Sequence, residues 1–134
     1  METKIPWDHL VDALREELQE KGGLIRLLNQ QTETIYRRDA QGNSRLEEQI
    51  RSQSNLIARC KQRRELVLKQ TASDLKLSEH TDSKKVISSF PEYVHPLLEA
   101  LFAEVERLSG RMDERLRQNL ELKERLLSEA SSTL

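Results

Sequence analysis

Apolar residues recur along this chain in alternating steps of four and three, in three separate blocks. In the first, Trp7, Val11, Leu14, Leu18, Ile25, Leu28 and Ile35 hold one register, with Lys21 in the place of an apolar member. In the second, Leu46, Ile50, Ile57, Cys60 and Val67 repeat it, with Gln53, Arg64 and Thr71 as polar members. In the third, Val94, Leu98, Leu101, Val105, Leu108, Met112, Leu122 and Leu126 follow the same rule, and Arg115 and Asn119 fall inside the seam. Such spacing draws a narrow apolar stripe along one side of a helix, so the pattern predicts long helices packed lengthwise on one another. Val, Ile and Thr form no alternating runs, and no strand is expected. The expected fold is all-α: an elongated antiparallel helical hairpin plus a third long C-terminal helix, forming a coiled-coil-like three-helix bundle in a single domain over residues 1–134.

Local signals place the elements. The first helix is expected over about 6–39, with Pro6 in its first turn and Asp8 and Asp12 near its positive end. Gly22 and Gly23 each weaken a helix by about 1 kcal/mol relative to Ala. The stripe keeps phase from Leu18 to Ile25, however, so one continuous helix with a soft or kinked centre is expected, and a break there is the alternative. Ala40-Gln41-Gly42-Asn43 reads as the turn, with Gly42 in the left-handed position that ends a helix. Ser44 and Glu47 read as a capping box opening a second helix over about 44–72. Residues 73–95, rich in Ser, Thr, Asp, Lys and His, read as a connector, mobile or folded back onto the bundle, with a short helix from Asp82 to Ser89. The third long helix, about 96–128, starts with His95 as cap and Pro96 in its first turn, and residues 130–134 fray.

The charge pattern changes little. The 134 residues carry a formal net charge of −1, with 34% charged and 36% hydrophobic content, too apolar for a disordered chain. Residues 44–72 hold seven Lys/Arg against three Asp/Glu, residues 91–134 hold six against nine, and residues 6–39 hold five against seven. Opposite signs on neighbouring helices suit antiparallel packing with flanking ion pairs. The basic stretch Arg59, Lys61, Arg63, Arg64 and Lys69 lacks interleaved aromatics, so pairing with acidic helices is expected in preference to nucleic-acid binding. No leader pattern and no membrane-spanning run is present, and the single Cys60 suits a reducing compartment; a cytoplasmic chain without membrane insertion is expected.

Chemistry-bearing arrangements are absent. Cys60 has no His at helical spacing to serve as a base and reads as a buried structural thiol. His9, His80 and His95 are scattered, so no metal is expected. Glu16-Glu17, Glu47-Glu48 and Asp113-Glu114 read as solvated helix faces, and Gly22-Gly23 has neither the spacing nor the tail of a phosphate loop. The expectation is a non-enzyme with no cofactor.

The C-terminal block departs from a plain stripe, because Leu97, Phe102, Leu116, Leu120 and Leu127 lie beside it. A helix that wide either sits at the centre of a three-helix bundle or keeps a second face for a partner helix laid in a groove. The candidate partner-binding residues are Leu98, Leu101, Phe102, Val105, Leu108, Met112, Leu116, Asn119 and Leu120. Competing readings are a structural coiled-coil scaffold, including a homodimer, and a nucleic-acid-binding hairpin.

Two segments carry a resemblance to a known family. One runs from Leu24-Ile-Arg-Leu-Leu-Asn-Gln-Gln-Thr-Glu-Thr-Ile35 through Arg38-Asp39 to Leu46-Glu-Glu-Gln-Ile50; the other is Met112-Asp-Glu-Arg-Leu116-Arg-Gln-Asn119-Leu-Glu-Leu122. The chain resembles the flagellar export chaperones of the FlgN type over nearly its whole length. The connector at 73–95 and the glycine pair have no counterpart in that pattern. The resemblance implies a cytoplasmic chaperone that binds the C-terminal amphipathic helices of hook–filament junction proteins through its own C-terminal helical region. It also implies prevention of premature polymerisation and delivery to components of the flagellar type III export gate.

Overall fold

In a computed structural model, residues 7–78 and 80–132 are described, and every regular element among them is helical: α1 (Asp8–Tyr36), α2 (Ala40–Asp74), α3 (Ser83–Ser88), a 3-10 turn (Glu92–Val94) and α4 (His95–Ser132). Pro6, the expected helix start, lies outside the described residues. At 1.5 Å per residue the three long helices measure about 43, 52 and 57 Å. The fold is the all-α bundle that the stripes predict. α1 runs unbroken through Gly22-Gly23, and α4 continues past Ser128 to Ser132.

The hairpin turn is tighter than the sequence signals suggest. α1 ends in a Schellman motif built on Arg38, a non-glycine residue at φ 56°. Asp39 N–H donates to the Thr34 carbonyl at 3.0 Å and Arg38 N–H to the Ile35 carbonyl at 3.1 Å. Asp39 then caps α2, its carboxylate accepting from Gly42 N–H at 2.9 Å. Gly42 is therefore not the left-handed terminator, and Ser44 and Glu47 are not the start of α2; all three lie inside its first turns. The start at Asp39, five residues before Ser44, is favoured because the carboxylate folds over Gly42, where an added Cβ would lie only 2.3 Å from Asp39 Oδ2. A second Schellman motif ends α2 at Lys76, φ 59°, where Leu77 N–H reaches the Ala72 carbonyl at 2.8 Å.

The connector folds back. α3, capped by Asp82, and the 3-10 turn bring Val86, Ile87, Phe90 and Val94 under the base of the bundle. There they join Leu10, Val11, Leu14, Ala72, Leu98 and Val105 in the main core. Each such aliphatic or aromatic side chain contributes about 1.5–3 kcal/mol when fully buried, enough to dock the segment on the long helices. α4 then starts with Pro96 in its first turn, and His95 Nε2 lies 2.8 Å from the Phe90 carbonyl.

α4 is not the central helix. α1 packs along both α2 and α4, antiparallel to the first and parallel to the second, while α2 and α4 make no comparable backbone approach. Leu10, Leu14, Leu24 and Leu28 on α1 are at most 1% exposed, which is the burial expected of the middle member. The extra apolar residues of α4 thus need a different explanation.

Candidate interaction surface

Two kinds of polar seam residue divide the bundle. At its waist Glu17 is fully buried, Lys21 is 5% exposed, and Lys21 Nζ stands 2.8 Å from Glu17 Oε2. Arg64 Nε lies 2.9 Å from Glu17 Oε1, and its guanidinium sits over the Phe102 ring at 5.8 Å. Neither contact to Glu17 has hydrogen-bond alignment, so the carboxylate is held by opposite charges at close range and not by directed bonds. Lys21 also donates to Ser109 Oγ, and Gln53 Nε2 donates to the Glu20 carbonyl, so this layer ties α1 to both neighbours. Higher up, Asn119 is 4% exposed and fully engaged. Its Nδ2 donates to the Leu28 carbonyl at 2.9 Å and to Gln31 Oε1 at 3.0 Å, while its Oδ1 accepts from Thr32 at 2.6 Å. These polar members set the register of α4 on α1, since a slip would strand them unpaired in an apolar seam.

Beyond Asn119 the bundle opens into a groove with α1 as floor. One hollow of about 420 Å³ lies among Gln31 and Ile35 of α1, Glu47 of α2, and Leu116, Asn119 and Leu120 of α4. A second, of about 300 Å³, follows it between the α1–α2 turn and Leu126, Leu127 and Ala130 of α4. Leu116, Leu120 and Leu127 share one helix face and are 40%, 58% and 62% exposed. Lys123, on that same face, spans the groove to Glu47 at 2.8 Å. The Lys123 ammonium, followed by the Asn43 amide, holds the Glu47 carboxyl below the ordinary carboxylate range. An apolar row beside an unfilled groove with a polar rim is the arrangement that receives an amphipathic helix.

The nine residues singled out from the sequence do not form one free surface. Leu98 and Val105 belong to the main core, with Leu101 and Phe102 packed against it. Met112 packs on a smaller cluster of Leu24, Leu28 and Ile57, and Leu108 is half-buried. Asn119 bonds internally. Leu98, Val105 and Asn119 are thus closed off from any partner by α1 and the base, and the available part of the set is Leu116 and Leu120. Sequence reasoning left out Leu127, Lys123, Ile35 and Gln31; the spacing Leu116, Leu120, Leu127 was the signal for the first of these.

Cys60 is buried, 3.7 Å from Glu16 Oε1, and burial together with that carboxylate pushes its thiol upward, so it stays protonated and unreactive. Of the basic stretch on α2, Arg63 pairs with Glu16 and Arg64 turns inward, leaving Arg59, Lys61 and Lys69 exposed. Among the described residues no group of His, Cys, Asp and Glu is arranged to hold a metal, and no helix is long and apolar enough to cross a membrane. Comparison with family models, with curated proteins and with solved structures returned no match.

Proposed function

We propose that this chain is a cytoplasmic export chaperone whose distal groove sheathes the C-terminal amphipathic helix of a flagellar hook–filament junction protein. By covering that helix it keeps the client unpolymerised and presents it to the flagellar type III export apparatus. The observation that carries the reading is the row Leu116, Leu120 and Leu127, exposed along an open groove whose floor is Ile35 and Gln31. A fourth helix laid there would complete a four-helix arrangement and cover the row, and a specific complex needs about 1,000 Å² or more of buried surface. The resemblance of the Leu24–Ile50 and Met112–Leu122 segments supplies the class of client.

A structural coiled-coil subunit, homodimeric and without a client, is the second reading. The burial of Leu98 and Val105 in the chain's own core favours it, since the base of the bundle has a core made entirely of this chain's residues. Titration calorimetry against C-terminal peptides of junction proteins separates the two. The chaperone reading expects binding with Kd of about 0.1–10 µM, lost in a Leu120→Asp, Leu127→Asp double variant that remains helical. No binding by the folded wild-type chain, with a dimer that the same variant dissociates, establishes the second reading instead.

A further inference from the structure

The two ends of the bundle are built differently, and the boundary is a plane crossed by all three long helices. α1 contributes Gly22-Gly23 and α4 contributes Ser109-Gly110; the 2.5 Å contact from Lys21 to Ser109 puts them at one level. α2 contributes Gln53 between Ser52 and Ser54, brought to the same level by its bond to the Glu20 carbonyl. Gly and Ser are weak helix formers, and the plane concentrates them where the core is already interrupted by buried charge. Close packing does not require all of them. A Cβ on Gly110 would meet nothing within 4 Å, and one on Gly22 only the tip of Arg26 at 4.0 Å.

Below the plane α4 is anchored by Leu98 and Val105 in the ten-residue main core. Above it, among the described residues of α4, Asn119 and Leu122 alone are buried. The contacts that hold the segment beyond Gly110 include the Asn119 amide, buried Leu122 and half-buried Met112 and Leu126 on the side of α1, and the Lys123–Glu47 pair to α2.

We propose that α4 is hinged at Ser109-Gly110, so that residues 111–132 swing away from α1 and α2 as a unit while the proximal part of α4 stays docked. The hinge is a property of the free chain. Its use, to widen the groove for an incoming helix, rests on the proposed function. Opening unwinds the turn around Gly110, and alanine there opposes unwinding by about 1 kcal/mol, a factor of about five.

Amide hydrogen exchange on the full chain without client tests the hinge. Residues 111–130 are expected to exchange about tenfold or more faster than 97–108, with a step at the plane. In Gly110→Ala the distal amides slow about fivefold, while the proximal ones keep their rates. A smooth gradient rising toward residue 132, a single rate along α4, or equal slowing of both halves by Gly110→Ala overturns the hinge. No peptide is present, so this outcome and that of the peptide titration are independent.

Discussion

Removing the charge of Glu17 tests the waist of the bundle. Glu17 is fully buried between Lys21 at 2.8 Å and Arg64 at 2.9 Å. Glu17→Gln keeps the volume and deletes the anion, leaving a 5%-exposed ammonium and a largely buried guanidinium facing each other without a counter-charge. Breaking a buried pair in this way costs about 3–5 kcal/mol. For a chain of this length that corresponds to a fall in Tm of about 10 °C or more. The Glu17→Leu, Lys21→Met, Arg64→Leu triple variant removes every charge together. It recovers most of the loss, because desolvation of the three charges disappears, although the contact with Phe102, worth about 0.5–1 kcal/mol, goes too. Glu48→Gln, in an exposed pair with Arg51 at 3.6 Å, is the control and changes stability by less than about 1 kcal/mol. Urea unfolding followed by far-UV circular dichroism reads all four chains. A Glu17→Gln loss no larger than the control's, or a triple variant as unstable as the single one, refutes the reasoning.

Three further outcomes follow from local geometry. Gly22→Ala raises stability by up to about 1 kcal/mol; Gly23→Ala gains less or loses, because its Cβ would come within 3.1 Å of Gln53 Nε2, and denaturation midpoints rank the two. Arg38→Gly stabilises by about 0.5–1 kcal/mol, since relief of the left-handed conformation exceeds the added freedom of the unfolded chain; a destabilised variant in the same assay contradicts this. The Glu47 carboxyl is depressed by Lys123, so the pair stabilises the fold above the ordinary carboxylate range and loses that contribution as pH falls through the depressed value. The stability gap between wild type and Lys123→Gln, under about 1 kcal/mol at neutral pH, accordingly closes in acid.

The long elements were legible because a four-three stripe has one geometric meaning. Of its polar members, Lys21, Gln53, Arg64 and Asn119 make cross-helix contacts, whereas the Thr71 hydroxyl donates back to the Val67 carbonyl of its own helix. The hairpin turn was not, because the Ser44–Glu47 capping pattern drew the helix start away from Asp39, and nothing in the letters says that Arg38 takes the left-handed position usually given to glycine. The surface was legible in part. The third stripe was legible as wide, but the choice of exposed members depends on which helix is central. That is settled by α1, whose Leu10, Leu14, Leu24 and Leu28 face two neighbours. Once α1 takes the middle, Leu98 and Val105 turn inward and Leu116, Leu120 and Leu127 remain outside.

The measurement that bears most directly on the groove is amide chemical-shift mapping of the labelled chain during titration with a junction-protein C-terminal helix. The account predicts perturbations gathered at residues 31–35, 43–50 and 116–130, with the base around Val86, Phe90 and Leu98 unchanged. Perturbations centred on the base, or none at saturating peptide, contradict it.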